Sequence, residues 1–292
     1  MSSPLEVIRG RTARALRTVV PVEADGPWNA AAEDTGLSGP DSVTWRVHAH
    51  FSMLVGGIRA LLMQTLHPLA MAGVAQHSDY RTDSLGRLQR TSAFIAATTY
   101  GSTATAEAAV QRVRRVHERV RGVAGDGRPY SAADPALLAW VHYVEVDSFL
   151  VAYQRVGPGL TGEEADRYVQ EMGQIGDRMG VVDRITTASA LHSWVVDHPE
   201  QRVTPEARAA ARFLVAPPLP AGTRAAYTVL LGAAISLLPL RQRKELGLFL
   251  PGPIGGRLLC EPAARALVGV LGWATAAPKS PQPISSARSA VT

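Results

Sequence analysis

Between Leu137 and Val156 the chain reads LLAWVHYVEVDSFLVAYQRV, a helical stretch that is apolar nearly all the way round. Such a helix has no face to turn towards water, so other elements must cover it and it belongs at the centre of a core. Its polar residues are then conspicuous. His142 and Glu145, three apart, share one side, with Asp147 and Ser148 nearby. Buried groups of this kind need partners. They either form a structural network or line a substrate pocket.

What surrounds this helix is more helix. Helical periodicity recurs over Ser42–Met53, Ile58–Leu66, Leu85–Thr99, Thr105–Gly122, Pro135–Arg155, Thr161–Met179, Thr186–His198, Pro205–Phe213, Arg224–Leu238 and Pro262–Trp273. No stretch alternates apolar and polar residues between hairpin turns, so almost nothing reads as strand. Local signals support several starts: Asp134-Pro135, the capping-box pattern Thr161-Gly162-Glu163-Glu164, and Thr204-Pro205-Glu206. The expected fold class is all-α. We expect a loosely held arm over residues 1–25, one helical domain over 26–275, and a Pro/Ser/Ala-rich disordered tail over 276–292.

Composition narrows the chemistry. Cys260 is the only cysteine of 292 residues, which rules out an intramolecular disulfide and any multi-cysteine metal site. No secretory leader is legible in the first residues, and a cytoplasmic location is expected. The run Ala225–Leu240 is shorter than a spanning helix needs and is interrupted by Pro239. It reads as a buried helix or one docked on a membrane surface. The net charge of +5 reflects an arginine-rich composition without basic runs interleaved with aromatics, so nucleic acid is not an expected partner.

The sharpest local signal is His117. With 100° per residue, Val110, Val113, Val116, His117 and Val120 fall on one side of a helix, and the arginines on the other. An imidazole aimed inward has two readings. One is a core histidine hydrogen-bonded to a neighbour. The other is a neutral ligand to a metal whose remaining ligands are not protein, as haem permits. Zinc would need three or four protein ligands, and His117-Glu118-Arg119-Val120-Arg121 lacks the second histidine of HExxH. On the preceding helix, Arg87, Arg90 and Thr91 share a face, which suits haem propionates but equally a surface salt-bridge face. His67 and His77 are candidates for a distal pocket or simply polar residues at turns.

The segments HPLAMAGVAQHSDYRTDSLGRLQRT, TTYG, VHERVRG, DGRPYSAADPALLAWVHYVEVDSFLVAYQ and LTGEEADRYVQEMGQIGDRMG, in this order, resemble the latex-clearing-protein and MpaB-like oxygenase family. The similarity runs from His67 to Gly180 and more weakly to about Leu240. The resemblance implies a globin-related core binding haem b. It matches His117 to the proximal iron ligand, and Arg87 and Thr91 to the arginine and threonine of the family's Arg-x-x-Lys-Thr haem motif. Arg90 stands where that motif has a lysine able to ligate iron. Arginine stays protonated, so the lysine-ligated closed form should be absent. The implied function is a haem-dependent oxygenase acting on an apolar unsaturated or aromatic small molecule with dioxygen or peroxide. In it, Arg90 or His77 donates a hydrogen bond to bound oxygen. The competing classes are a haem- or lipid-binding protein without turnover, and a helical scaffold that binds no haem.

Overall fold

The computed structural model describes residues 34–249 and 253–275; the expected arm over 1–25 and tail over 276–292 lie outside them. Apart from one two-stranded hairpin, the described secondary structure is helical, and the chain is all-α. The helices are α1 (Val43–His48), α2 (Ser52–Gln64), α3 (Pro68–His77), α4 (Ser84–Tyr100), α5 (Thr103–His117), α6 (Pro135–Val156), α7 (Gly162–Met179), α8 (Ala188–Val196), α9 (Pro205–Val215), α10 (Ala221–Ser236) and α11 (Leu240–Glu245). A turn at Pro253–Gly255 then passes through a π-helical segment, Gly256–Cys260, into α12 (Glu261–Thr275).

The central helix is α6. Asp134 caps it by accepting the Ala136 N–H at 2.8 Å, and Pro135 occupies the first turn, where its missing donor costs nothing. Trp140, Val144, Phe149 and Tyr153 are buried along it, and α2, α3, α7, α8 and α12 all pack against it. It is long and apolar enough to cross a membrane, but 78% of its most apolar window is buried inside the molecule, as befits a core helix. Around it, α7 begins with a complete capping box: Glu164 N–H to Thr161 Oγ1 at 3.2 Å, and Thr161 N–H to Glu164 Oε2 at 2.8 Å.

The approach of α2 to α6 depends on one glycine. A Cβ on Gly56 would lie 3.0 Å from both the Phe149 Cα and the Ser148 carbonyl oxygen, backbone atoms that cannot swing aside. At Gly57, the next residue, a Cβ would meet nothing within 4 Å. Gly56→Ala is therefore expected to destabilise the fold by ~1–3 kcal/mol through overpacking. Gly57→Ala should stabilise it by about 0.5–1 kcal/mol, because alanine reduces the freedom of the unfolded chain. Urea denaturation of the two variants checks both signs.

A buried ion pair lies where α2, α6 and α8 meet. Arg59 Nη1 sits 2.8 Å from Asp147 Oδ2 and donates to Ser148 Oγ at 2.7 Å, while Arg59 Nε donates to the Leu237 carbonyl at 3.1 Å. His192 Nδ1 approaches the other Asp147 oxygen at 2.8 Å. Asp147 and Ser148 thus belong to a structural network, the first of the two roles open to the polar residues of this helix.

Several expectations need correction. The stretch Ser42–Met53 is broken at Ala49–Phe51 into α1 and the start of α2. Helix α3 was not anticipated; its ten residues are apolar with little sidedness, and only Pro68, Met71 and Ala72 are buried. His67 is its N-cap. Helix α11 was also not anticipated, being only Leu240–Glu245. Helix α5 stops at His117 rather than Gly122, because Arg121–Val123 pairs antiparallel with Pro129–Ser131. The apolar face of α5 is narrower than the helical wheel implies: Val110 is buried, Val113 and His117 are half-buried, and Val116 is 53% exposed.

Candidate functional site

Helix α4 leans on α5 and α1 instead of on α6, and only Ala97, Thr98 and Thr99 of its seventeen residues are buried. Its first half stands away from the core, with Leu85 51% and Leu88 41% exposed. Helix α5 returns beside it and ends on His117, at the level where α6 begins and α7 ends. Arg114 Nη1 donates to the Arg178 carbonyl at 3.1 Å and ties α5 to α7 there.

Between these three helix ends lies a cavity of about 230 Å³ lined by Arg114, His117, Glu118, Ala133, Pro135, Leu138, Met179 and Gly180. Gly180 closes α7 in the left-handed conformation at φ 106°, which a glycine reaches without strain. The His117 ring has no hydrogen bond on either nitrogen among the described residues, and Nδ1 is buried without a partner. Burial lowers its pKa, so the imidazole is neutral. A neutral imidazole with free lone-pair capacity beside an open cavity is a ligand in search of a Lewis acid or a hydrogen-bond partner.

The other expected site residues lie on α4 and α3, and no hydrogen bond links any of them to His117 among the described residues. Arg87 is half-buried and donates to Ser78 Oγ at 2.8 Å. No carboxylate pairs with it among the described residues; desolvation and the Arg90 charge lower its pKa. Thr91 Oγ1 donates to the Arg87 carbonyl at 3.0 Å and faces solvent. Arg90 is 68% exposed and pairs with Asp83 at 3.0 Å. His77 Nε2 donates to the Arg121 carbonyl at 3.0 Å, stitching α3 to the hairpin. The bonds of His77 and Arg87 tie the end of α3 to the hairpin that follows α5 and to α4.

Two further polar residues of α6, whose roles were open from the sequence, lie deeper along the helix than the cavity-lining Leu138. Leu138 lines the cavity, and His142 and Glu145 follow it at i+4 and i+7, on the same stripe of the helix. The His142 ring packs against Gly176, where an added Cβ would meet Nε2 at 2.9 Å, so a glycine on α7 makes room for it. Burial alone brings its pKa down to about 4, and Nε2 is buried without a partner. Burial alone likewise pushes the Glu145 carboxyl up to about 7. His48 bridges Thr99 Oγ1 at 2.7 Å and Tyr168 Oη at 3.1 Å, joining α1 to α4 and α7.

The chain as a whole matches a known family. A family model described as ER-bound oxygenase mpaB/B'/Rubber oxygenase, catalytic domain, covers residues 45–273, from within α1 into α12. The match spans well over half of the sequence, and the protein belongs to this family of oxygenases. No curated protein and no solved structure matches it. Among the described residues no group of three or more His, Cys, Asp or Glu side chains is placed to hold a metal ion by itself.

Proposed function

We propose that the protein is a haem b-dependent oxygenase in which His117 would hold the haem and the substrate is an apolar, unsaturated or aromatic small molecule. The observation that carries this reading is the unpartnered, neutral His117 imidazole beside the cavity. One protein ligand is all that haem requires. Arg87 fits the same group: it is a partly desolvated guanidinium lacking a carboxylate, which a propionate would supply. Thr91 offers a hydroxyl on the same face.

Haem, when bound, supplies the oxygen chemistry; the chain supplies the setting. His117 holds the group from the end of α5. Arg87 and Thr91 would orient its acidic edge and Arg90 would place a further donor at the rim, while the ring N–H of His77 is committed to the Arg121 carbonyl. Leu138 and Met179 exclude water from the cavity beside the ligand. Because the cavity is smaller than the ~300–1,000 Å³ of an ordinary small-molecule site, a macrocycle must extend past it. The segment best able to yield is the first half of α4, which is mostly exposed and held by few buried side chains. Haem loading is accordingly expected to slow amide exchange over Ser84–Thr91 severalfold, measured with and without the cofactor. The reading itself is tested by the absorption spectrum of protein expressed with haem precursor: a Soret band of full stoichiometry is expected, and colourless protein would overturn it.

A peripheral membrane contact from the cytoplasmic side is part of the same proposal. Phe249 at 84%, Ile254 at 74%, Leu258 at 68% and Leu259 at 65% exposure give the C-terminal segment an apolar outer surface, and the family description includes an ER-bound enzyme.

A further inference from the structure

A second cavity, of about 300 Å³, lies between the loop joining α8 to α9, the first turn of α9, and the end of α11. It is lined by Gln201, Arg202, Val203, Arg208 and Glu245, and none of these lines the cavity at His117. Its wall is held from behind. Gln201 is buried; its Nε2 donates to the Val195 and Val196 carbonyls at 2.6 and 3.2 Å, and its Oε1 accepts from Gln242 Nε2 at 2.8 Å. The Arg202 N–H donates to the Leu66 carbonyl at 2.8 Å, which fixes the loop just beyond the end of α2. The Gln201 amide is thus spent on the fold. The groups left to meet a ligand are Arg202, Arg208 and Glu245.

The charges around this cavity do not cancel. The Arg208 guanidinium has no ion pair and no hydrogen bond among the described residues, and neither has that of Arg212, one turn further along α9. Like charges four residues apart on a helix repel and lower its stability. Glu206 on the same helix relieves neither of them; its Oε1 lies towards Gly125, in the turn of the hairpin. Arg202 is answered only in part. It lies 3.2 Å from Glu200 Oε2, the same oxygen that Arg128 approaches at 2.6 Å. The lining carboxylate, Glu245, has its own counter-ion in Arg241 at 3.1 Å. The Arg202–Arg208 side of the cavity therefore carries positive charge that no described residue neutralises.

We propose that this cavity is a second ligand site, taking a small hydroxylated molecule through a single oxyanion, phosphate or carboxylate, set between Arg202 and Arg208. Guanidinium forks match the oxygens of both anions. Glu245 accepts hydrogen bonds and donates none when ionised, so it meets a hydroxyl of the ligand and repels a second anionic group. Val203 is the only large apolar side chain in the lining, so the ligand is polar throughout. The volume stands at the lower end of the range for small-molecule sites, ~300–1,000 Å³, as suits a ligand of a few carbons. The site stands apart from the oxygenase reading, because no residue assigned to haem takes part in it.

The test is isothermal titration of the full chain, as purified and in low-salt chloride buffer, with glycerol 3-phosphate and with glycerate. One or both are expected to bind saturably with a Kd of about 1 mM or tighter. Arg208→Gln and Arg202→Gln should each weaken that binding about tenfold, since each removes a charge-assisted contact to the anion. Arg112→Gln on α5, which removes an equally exposed arginine far along the chain, should leave it unchanged. Propyl phosphate, which lacks the hydroxyls, should bind severalfold more weakly than glycerol 3-phosphate. Absence of saturable binding by both probes, full affinity in Arg208→Gln or Arg202→Gln, an equal loss in Arg112→Gln, or undiminished binding of propyl phosphate would overturn the proposal. The titration is expected to read the same whatever the haem content of the sample, so its outcome and that of the oxygenase reading are separable.

Discussion

His117→Ala is expected to abolish stable haem binding while leaving the helical fold in place. His117 is the imidazole that lines the cavity, so its loss would remove the residue that holds the haem, whereas Arg87 and Thr91 would only orient its acidic edge. The cost to the apoprotein should be small. The ring makes no hydrogen bond among the described residues, it is only half-buried, and it sits on the last residue of α5, where truncation opens an existing cavity slightly wider. Purified variant and wild type should therefore show the same far-ultraviolet circular dichroism. The variant should show a Soret band reduced at least tenfold, and added imidazole should restore part of it. Full haem occupancy with an unchanged spectrum in His117→Ala would remove this residue from the ligand role.

The second large effect concerns stability. Asp147→Ala leaves Arg59 charged, buried and short of its counter-ion, and removing one member of such a pair costs ~3–5 kcal/mol. Replacing both residues by apolar ones of similar size, Arg59→Met with Asp147→Leu, should cost much less, because no uncompensated charge remains. Thermal or urea denaturation of the three proteins separates these outcomes; equal losses in the single and double variants would sink the argument.

The pair also sets a pH window. Burial alone would raise the Asp147 pKa, but the Arg59 charge and the His192 hydrogen bond outweigh it, and the folded value lies below the ordinary one. Its contribution is present above about pH 4 and is lost as pH falls through the depressed folded value. His192 is shifted the other way, upwards, chiefly by its hydrogen bond to Asp147. Its contribution is full below about pH 6.5 and disappears as pH rises through the raised value. The melting temperature should peak between these limits, and His192→Ala should remove the alkaline slope and, by taking away one of the interactions that depress Asp147, weaken the acid slope as well.

Much of this protein was settled by local rules. The α6 segment announces a central helix because no arrangement exposes so continuous an apolar surface to water, and the caps at Asp134, Thr161 and Thr204 mark true starts because their side chains need only the next turn of backbone. His117 stood out for the same reason: its neighbours on one helix face are legible from a 3.6-residue repeat. What the repeat does not register is the partner across the gap. The valines near His117 continue the helical period, yet the chain leaves the helix there because Arg121–Val123 finds Pro129–Ser131. Nor does sequence say which acids on α6 are neutralised. Asp147 and Glu145 lie two residues apart, so they point to different sides of one helix. Only the packing of α2 and α8 against the first makes it a structural ion, while the second is left without a charged partner among the described residues. Propensity and periodicity act over a few residues and so reside in the sequence; charge neutralisation and cavities depend on atoms far apart along the chain, and exist only once the helices have met.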